Sequence, residues 1–324
     1  QIPAEKVAIF DEAQRAWTKE QTAKFMLKRH VPGWNMSEPE FLISVMDRHQ
    51  DWTVIICLIG GGQEIHTGEA GLLAWFDALR DHFPDWNVYV SPQISDVEYT
   101  HGKQLEHLFT GLRLYREPNL HLSVSLRSFR NERVSAFVKS LLDENLPVAQ
   151  QLYSELSPNY PITITRSLEK AQEWIRAQAR GTERYGLIAS SGAKRLRQFG
   201  IWVQSNIQAE NWFLNDKEDI RSSYFLEDTA TEFDIQGLEI DWAIVAWDAD
   251  YRIAKGHFKA YNFTGSSWKT VCKKDAQLYL KNTYRVLLTR ARQGFVIFIP
   301  EGCDADLTRQ SSFYDGIYYC LLYT

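Results

Sequence analysis

The sequence predicts an α/β protein in which helices cover largely parallel β-sheets, divided between two domains. Short apolar runs of strand length alternate with segments of helical periodicity, which is the pattern that parallel sheets produce. The length of 324 residues suits two domains, since domains commonly contain about 100 to 200 residues. One apolar run, Val7 to Phe10, ends in two adjacent carboxylates, Asp11 and Glu12. Parallel sheets bind ligands at the carboxyl ends of their strands, so this position is a candidate site.

The first domain is predicted from two strands with helices between and after them. Val7 to Phe10 is the first strand, and Thr53 to Ile59, which is rich in β-branched residues, is the second. Between them, Ser37 to Glu40 has the pattern of a capping box and precedes an apolar helical stripe. A further helix is predicted over Glu69 to His82. The two strands are expected to lie parallel in one sheet.

A domain boundary is predicted where the periodicity fades, between Glu98 and Asn119, which gives domains over residues 1–119 and 120–324. The segment from Asp248 to Lys274 contains Gly and aromatic residues and is interpreted as an irregular insertion. The elements predicted for the second domain are the strands His121 to Leu126, Ile162 to Thr165, Tyr185 to Ala189, Trp242 to Trp247 and Phe295 to Ile299, and the helices Glu132 to Asp143, Leu168 to Ala179 and Ala276 to Ala291.

Composition narrows the classes of function. The net charge of −5 argues against a protein that coats nucleic acid through bulk positive charge, so any such binding needs a local groove. Aromatic residues, with 11 Trp, 15 Tyr and 17 Phe, can stack on unpaired bases, although most are expected to fill the core. No apolar run is long enough for a membrane span, and none of the four cysteines has zinc-site spacing, so a reducing cytoplasmic setting without a membrane partner is expected.

Asp11 and Glu12 are the first candidate site residues. A nucleotide hydrolase places an Asp at the end of a buried strand to hold Mg²⁺, and a neighbouring Glu can accept a proton from the attacking water. The alternative is a strand that is followed by a solvated turn. Gln63 follows the second predicted strand, so in a parallel sheet it would converge on the same edge as the two acids.

Arginines and a glycine turn are the candidates in the second domain. Arg127 follows a predicted strand, where a guanidinium could reach a phosphate; a surface arginine is the alternative. Gly237 lies in a polar segment before a strand and permits either close approach to a ligand or a structural turn. Helical periodicity places Arg290 on one exposed side of the last predicted helix and Arg285 and Arg292 on another, and a basic run of this kind is often only a solvated face.

Other segments resemble functional motifs but fail on spacing. The stretch from Ser190 to Lys194 has the composition of a phosphate loop, yet it does not satisfy G-x-x-x-x-G-K-[ST], and neither does the triple glycine at 60–62. His66, His101 and His107 have no neighbouring carboxylate or cysteine pattern that indicates a metal.

Taken in order, five short segments resemble motifs II to VI of superfamily 1 DNA/RNA helicases. The two longest strings, 230–239 and 284–294, resemble an uncharacterised bacterial branch related to the Schlafen helicase-like domain, and the resemblance covers nearly the whole chain. The five segments are Asp11 to Gln14, Gly62 to Gln63, Leu126 to Ser128, Gln236 to Glu239 and Leu288 to Ala291.

The resemblance implies two RecA-like parallel-sheet domains of the P-loop NTPase fold, with ATP and Mg²⁺ bound between them and a single strand of DNA or RNA as the partner. In the first domain, Asp11 would organise Mg²⁺, Glu12 would activate water and Gln63 would sense the γ-phosphate. In the second domain, the resemblance implies γ-phosphate contacts from Arg127 and Arg290, and a lining of the nucleotide and strand side from Gln236, Gly237 and Glu239, with Glu239 contacting the ribose.

The departure from the family pattern concerns the Walker A loop, which would precede motif II and is not found in the 324 residues. We therefore expect a first domain truncated at its N-terminus, a missing N-terminal segment of the same protein as a partner, and poor ATP binding by this chain alone. The apolar end, Leu321 to Thr324, suggests a cut there as well. The alternatives are a helicase-like module that binds nucleic acid or protein without hydrolysis, and a nucleotide-dependent switch in a defence or nuclease assembly.

Overall fold

A computed structural model describes residues 2–59, 71–95, 109–121 and 129–324, which form two compact units, 1–124 and 125–324. Several residues considered above lie outside the described ranges. They are the triple glycine at 60–62, Gln63, His66, His101, His107 and Arg127, together with residues 122–126 of the strand predicted over His121 to Leu126.

The first unit begins with the parallel pair that the sequence predicts. Strand β1 (Val7–Phe10) pairs with β2 (Val54–Cys57), with Val7 opposite Val54. Helices α1 (Lys19–Lys28) and α2 (Glu38–Met46) connect them, and α3 (Gly71–His82) follows. The predicted capping box is present, since the Ser37 hydroxyl accepts from the Glu40 backbone N–H and the Glu40 carboxylate accepts from the Ser37 backbone N–H. The parallel pairing brings the carboxyl ends of β1 and β2 to one edge.

A second parallel pair in this unit, β3 (Asn87–Val90) with β4 (Arg113–Arg116), was not predicted, because the apolar runs of these strands are only three and two residues long. Helix α3 packs Trp75 and Leu79 against the inner face of the strands, in one cluster with Phe10, Ile55 and Val88. The outer face of β1 and β2 is different. It carries an uncovered aliphatic row with exposed fractions of 37% to 67%, formed by Val7, Ile9, Val54, Ile56 and Leu58.

The second unit is built on a five-stranded parallel sheet with the order β5-β12-β8-β6-β7. Its elements in chain order are α4 (Phe129–Leu142), α5 (Leu146–Leu156), β5 (Ile162–Thr165), α6 (Leu168–Gln178), β6 (Tyr185–Ala189), α7 (Ala209–Leu214), β7 (Thr229–Ala230), α8 (Glu232–Ile235), β8 (Ile240–Ala246), β9 (Tyr251–Ala254), β10 (His257–Thr264), β11 (Ser267–Thr270), α9 (Lys274–Leu288), β12 (Ala291–Phe298) and α10 (Ser312–Leu322). The predicted strands β5 and β6 are confirmed residue for residue, and β8 and β12 are confirmed with shifted ends.

Two predictions for this unit are wrong. The last long helix ends at Leu288 and not at Ala291, because Ala291 already begins β12 and pairs with Ile240 of β8. The segment interpreted as irregular, Asp248 to Lys274, contains an antiparallel sheet with the order β11-β10-β9. Its first hairpin turns at Lys255 and Gly256, both with positive φ, as a two-residue turn between antiparallel strands requires.

The connections of the five-stranded sheet define where a ligand would bind. From β6 the chain continues to β7 on one side, whereas from β8 it continues, after the antiparallel sheet, to β12 on the other side. The carboxyl ends of β6 and β8 therefore flank a topological switch point, the place where open α/β sheets form a binding crevice. Among the described residues, no helix combines the length and apolar character that crossing a membrane would need.

Candidate active site

The turn after β1 presents the two predicted acids. Glu12 has left-handed backbone angles (φ 52°, ψ 46°), an uncommon conformation for a residue with a side chain, and its N–H donates to Asp11 Oδ1 at 2.9 Å. The next N–H, of Ala13, donates to the carbonyl of Leu58 just beyond β2 at 2.8 Å. Trp75 Nε1 fixes the same turn from α3 by donating to the Ala13 carbonyl. The carboxyl edge of the β1 and β2 pair thus holds both acids in a defined turn.

The side chains of these acids differ in exposure. Asp11 is exposed, whereas Glu12 is half-buried and accepts a hydrogen bond from Nε2 of the buried Gln14. The hydrogen bond from Gln14 fixes the orientation of the Glu12 carboxylate, and the half-buried side chain still reaches solvent, where it can accept a proton. This arrangement suits a general base better than a freely rotating surface Glu does, because base catalysis requires a fixed direction for proton transfer.

A cleft of about 520 Å³ opens beside this turn. Trp17 and Phe25, each 39% exposed, meet edge to face there at a centroid distance of 5.2 Å. Cations and carboxylates both line the cleft, so it can accommodate an anionic ligand with a ring and a counter-cation. The lining residues are Phe10, Asp11, Glu12, Arg15, Trp17, Gln21, Lys24, Phe25, Lys28 and Glu38.

The acids at this turn fit Mg²⁺ in the way that phosphate-transfer sites use it. Among the residues the structure describes, no group of three His, Cys, Asp or Glu side chains could hold a metal by itself. Mg²⁺ in such sites takes one or two carboxylates from the protein and its remaining ligands from water and substrate phosphates. Asp11, exposed at the rim of the cleft, matches that requirement.

In the second unit, the turn from Gln236 to Glu239 follows the capped helix α8. Thr231 closes its capping box with Asp234 at 2.7 Å, and the chain then turns at Gly237 with φ 83°. A Cβ atom on Gly237 would meet nothing within 4 Å, so steric crowding does not explain the glycine. The positive φ angle explains it, because residues with a side chain rarely adopt that conformation. Glu239 accepts a hydrogen bond from Arg292 Nε at 3.1 Å.

Arg290 is buried, with 3% of its surface exposed, which corrects the expectation of an exposed helical position. The helix has already ended at Leu288, so helical periodicity does not apply to this residue. Its Nε donates to the Val286 carbonyl at 3.2 Å, and a terminal nitrogen donates to the Leu238 carbonyl at 3.5 Å. The structure therefore brings Arg290 together with the turn that holds Gly237.

A buried acidic group that the sequence analysis missed lies at the switch point between β6 and β8. Asp250 accepts from Ser190 Oγ at 2.6 Å and from the Tyr284 hydroxyl at 2.5 Å. Asp248 accepts from the Tyr314 hydroxyl at 3.0 Å and from a backbone N–H. The run Asp-Ala-Asp directly after an apolar strand was the available signal, but the residues that surround it come from distant segments.

Burial governs the protonation of this group. Burial, with the neighbouring charge of Asp250 as the second cause, raises the pKa of Asp248 to about 7. Burial also raises the pKa of Asp250, against hydrogen bonds from Ser190 and Tyr284 that lower it. The pKa of Glu232, which accepts two hydrogen bonds from Ser191, is likewise raised by burial.

Asp248 should make the stability of the protein depend on pH. Its pKa in the folded state lies above the unfolded value, so the stability that its proton provides is complete below about pH 4 and is lost as pH rises through 7. The loss is on the order of 4 kcal/mol in the free energy of unfolding. We expect Asp248→Asn to flatten the decline that the wild type shows between pH 5 and 8 in denaturant titrations. The exposed Asp275→Asn is the matched control, and a wild-type slope in Asp248→Asn would contradict the assignment.

The parallel sheets and the helices between them define an α/β protein, and these sheets are compatible with a RecA-like fold. The chain belongs to the family described as Schlafen group 3, DNA/RNA helicase domain, whose profile matches residues 1–301. The resemblance to a Schlafen-related helicase-like domain is thereby confirmed. No curated protein matches the chain.

Proposed function

We propose that this chain forms part of an ATP-dependent DNA/RNA helicase or translocase of superfamily 1, with ATP and Mg²⁺ as its cofactors. The observation that carries the proposal is the turn that fixes Asp11 and Glu12 at the carboxyl edge of a parallel pair, beside a cleft with cations and exposed aromatic rings. Family membership supports a helicase-like role related to nucleic acid.

The proposed roles in the first unit follow from the side-chain chemistry. Asp11 would hold the metal, and Glu12, directed by Gln14, would accept a proton from the water that attacks the γ-phosphate. Bound Mg²⁺ supplies positive charge to the phosphates. Gln63, which follows the second predicted strand in the sequence, would complete this half of the site by sensing the γ-phosphate.

In the second unit, the proposal assigns phosphate contacts to Arg127 and Arg290, and nucleotide contacts to Gln236, Gly237 and Glu239. The two carbonyls that Arg290 contacts hold its guanidinium in a fixed direction. A guanidinium that is already oriented can stabilise transition-state charge without a rearrangement of the surrounding protein during the reaction. The hydrogen bond between Arg292 and Glu239 orients the proposed ribose contact in the same way.

ATP binding also requires a phosphate loop, and the 324 residues contain no G-x-x-x-x-G-K-[ST] pattern. We propose that a strand-and-helix segment of the same protein provides it and packs against the outer face of β1 and β2. Parallel sheets are normally covered on both faces, whereas this pair leaves its aliphatic row uncovered. The proposed segment would have this exposed row as its contact surface.

The test compares the protein as its gene encodes it with this chain of 324 residues. We expect single-stranded oligonucleotides to stimulate ATP hydrolysis by the encoded protein and to leave this chain at background. If the encoded protein binds oligonucleotides but does not hydrolyse ATP with them, the second candidate, a non-hydrolysing nucleic-acid or protein binding module, replaces the first. The lack of a phosphate loop in this chain is the observation that favours this second candidate.

A further inference from the structure

The antiparallel sheet formed by β9, β10 and β11 has a charge opposite to that of the rest of the chain. Residues 251–274 contain six Lys and Arg and no Asp or Glu. The remaining residues contain 30 Lys and Arg against 41 Asp and Glu. A protein with net negative charge that concentrates cations on one small element has a local, not a bulk, means of attracting an anion.

We propose that this sheet is a binding surface for the phosphate backbone of a single-stranded nucleic acid. The proposal rests on the proposed function, because it names where the strand would bind. We call the five lysines Lys255, Lys259, Lys269, Lys273 and Lys274 the basic strip.

The basic strip is available to a partner. Four of its lysines are exposed and Lys259 is half-buried. Within the described part of the chain, none of the five forms an ion pair with a carboxylate, in contrast to Lys281, which pairs with Asp143. The sixth cation of the segment, Arg252, is buried between the rings of Tyr261 and Phe313 and serves the packing of the sheet.

Three lysines of the strip, Lys269, Lys273 and Lys274, lie on or just after the edge strand β11, whereas Lys255 lies in the β9–β10 turn. Lys259 lies on the central strand β10, on the opposite face of the sheet to Lys269. Lys269 on the edge strand β11 is paired with Asn262 on β10. After β11, the Val271 N–H still donates to the Ala260 carbonyl of β10 at 3.0 Å, so the chain follows β10 until shortly before Lys273. At the outer end of β10, Lys194 Nζ donates to the Phe263 carbonyl at 3.4 Å. Lys194 belongs to the loop at the carboxyl end of β6, so the basic strip adjoins the ligand-binding edge of the parallel sheet.

Two carboxylates beside the sheet are engaged, whereas Asp275, directly after Lys274, is exposed. Glu144 is paired with His257 at 2.7 Å and also accepts the Phe258 backbone N–H, and Asp306 is paired with Arg195 and Arg309. Phe263 and Trp268 form a half-buried cross-strand pair at a centroid distance of 5.1 Å, on the face of the sheet that carries Lys259. Unpaired bases can stack on such rings, which favours a single strand over a duplex.

Structural roles account for only some of the lysines in the basic strip. Lysine on an edge strand prevents strand-to-strand association between molecules, which would account for Lys269. It does not account for Lys255 in a turn. Lys273 and Lys274 lie at the N-terminus of α9, where the helix dipole disfavours positive charge, so local stability does not explain them either.

The test measures binding of labelled oligo(dT) and oligo(U) to the whole protein without nucleotide, by fluorescence anisotropy over a series of salt concentrations. The variant is Lys269→Gln/Lys273→Gln/Lys274→Gln. The matched control is Lys19→Gln/Lys170→Gln/Lys217→Gln, which removes three exposed lysines elsewhere. We expect the variant to bind about tenfold more weakly near 0.1 M salt and to lower the slope of log affinity against log salt by about 2. The control should change affinity less than about twofold, and circular dichroism melting should show all three proteins folded.

Each outcome decides between the claims. Wild-type affinity and salt slope in the variant would overturn the basic strip as the binding surface and leave the proposed ATPase standing. A wild type that binds neither oligonucleotide would overturn the strand-binding role altogether. A difference between the oligo(dT) and oligo(U) arms identifies the sugar that the surface accepts, provided that both lose affinity in the variant.

Discussion

The variant Glu12→Gln should lower the kcat of oligonucleotide-stimulated ATP hydrolysis by about 10² to 10⁴ in the protein as its gene encodes it. Glutamine has nearly the same shape as glutamate and can still accept the hydrogen bond from Gln14 Nε2, but it cannot take a proton from water. Because the side chain is half-buried at the rim of the cleft, the fold should be unaffected. Binding of ATP should stay within a few-fold of wild type, so the effect falls on kcat.

Glu38→Gln is the matched control for this prediction. Glu38 lines the same cleft but caps a backbone N–H, that of Trp17, at 2.8 Å, and it has no proposed part in the reaction. Hydrolysis by this variant should remain within about threefold of wild type. Equal rates for wild type and Glu12→Gln would show that Glu12 takes no part in the reaction. An equal loss of rate in Glu12→Gln and Glu38→Gln would show that Glu12 contributes only negative charge to the cleft.

Arg290→Ala should affect both stability and rate. Truncation removes the donors to the Val286 and Leu238 carbonyls and leaves a buried cavity, so the free energy of unfolding should fall by about 2 to 4 kcal/mol. If Arg290 also contacts the γ-phosphate, hydrolysis should fall by about 10³ or more at temperatures where the variant is still folded. Denaturant titration and steady-state kinetics measure the two effects separately.

Two further variants separate the structural role of Arg290 from the catalytic one. Arg290→Lys retains the charge but loses the planar fork, so we expect a smaller loss of stability and still a large loss of kcat. Arg292→Ala removes only the exposed partner of Glu239, which should cost less than about 1 kcal/mol. If the kcat of Arg290→Lys equals that of wild type, the residue holds the Gln236 to Glu239 turn and does not act on phosphate.

The parts of the fold that were predictable from sequence depend on short-range patterns. The strand Val7 to Phe10, the capping box at Ser37 and the strand from Ile162 to Thr165 each carry their signal within a few residues, and all three are confirmed. The end of the last long helix was not predictable in this way. Its boundary is set by pairing of Ala291 with Ile240, some fifty residues earlier, and periodicity does not register a partner at that distance.

In the candidate site, too, residues that depend on short-range patterns were predictable and residues that depend on distant segments were not. Asp11 and Glu12 were accessible to sequence analysis because they directly follow a strand. The burial of Arg290 was not, because it depends on the Leu238 carbonyl, which belongs to a different segment. The acidic group around Asp248 was missed for the same reason, since its partners Arg195 and Tyr314 become neighbours only in the folded unit.

The aliphatic row on β1 and β2 has a consequence for assembly during synthesis. Apolar patches of this kind attract any complementary surface, including the same patch on another copy. The covering segment proposed above and a second molecule would therefore compete for Ile9 and its neighbours. If the proposed segment binds first, the protein stays monodisperse, and if a second molecule binds first, it self-associates. On this proposal, the yield of the first unit depends on how quickly the covering segment is made.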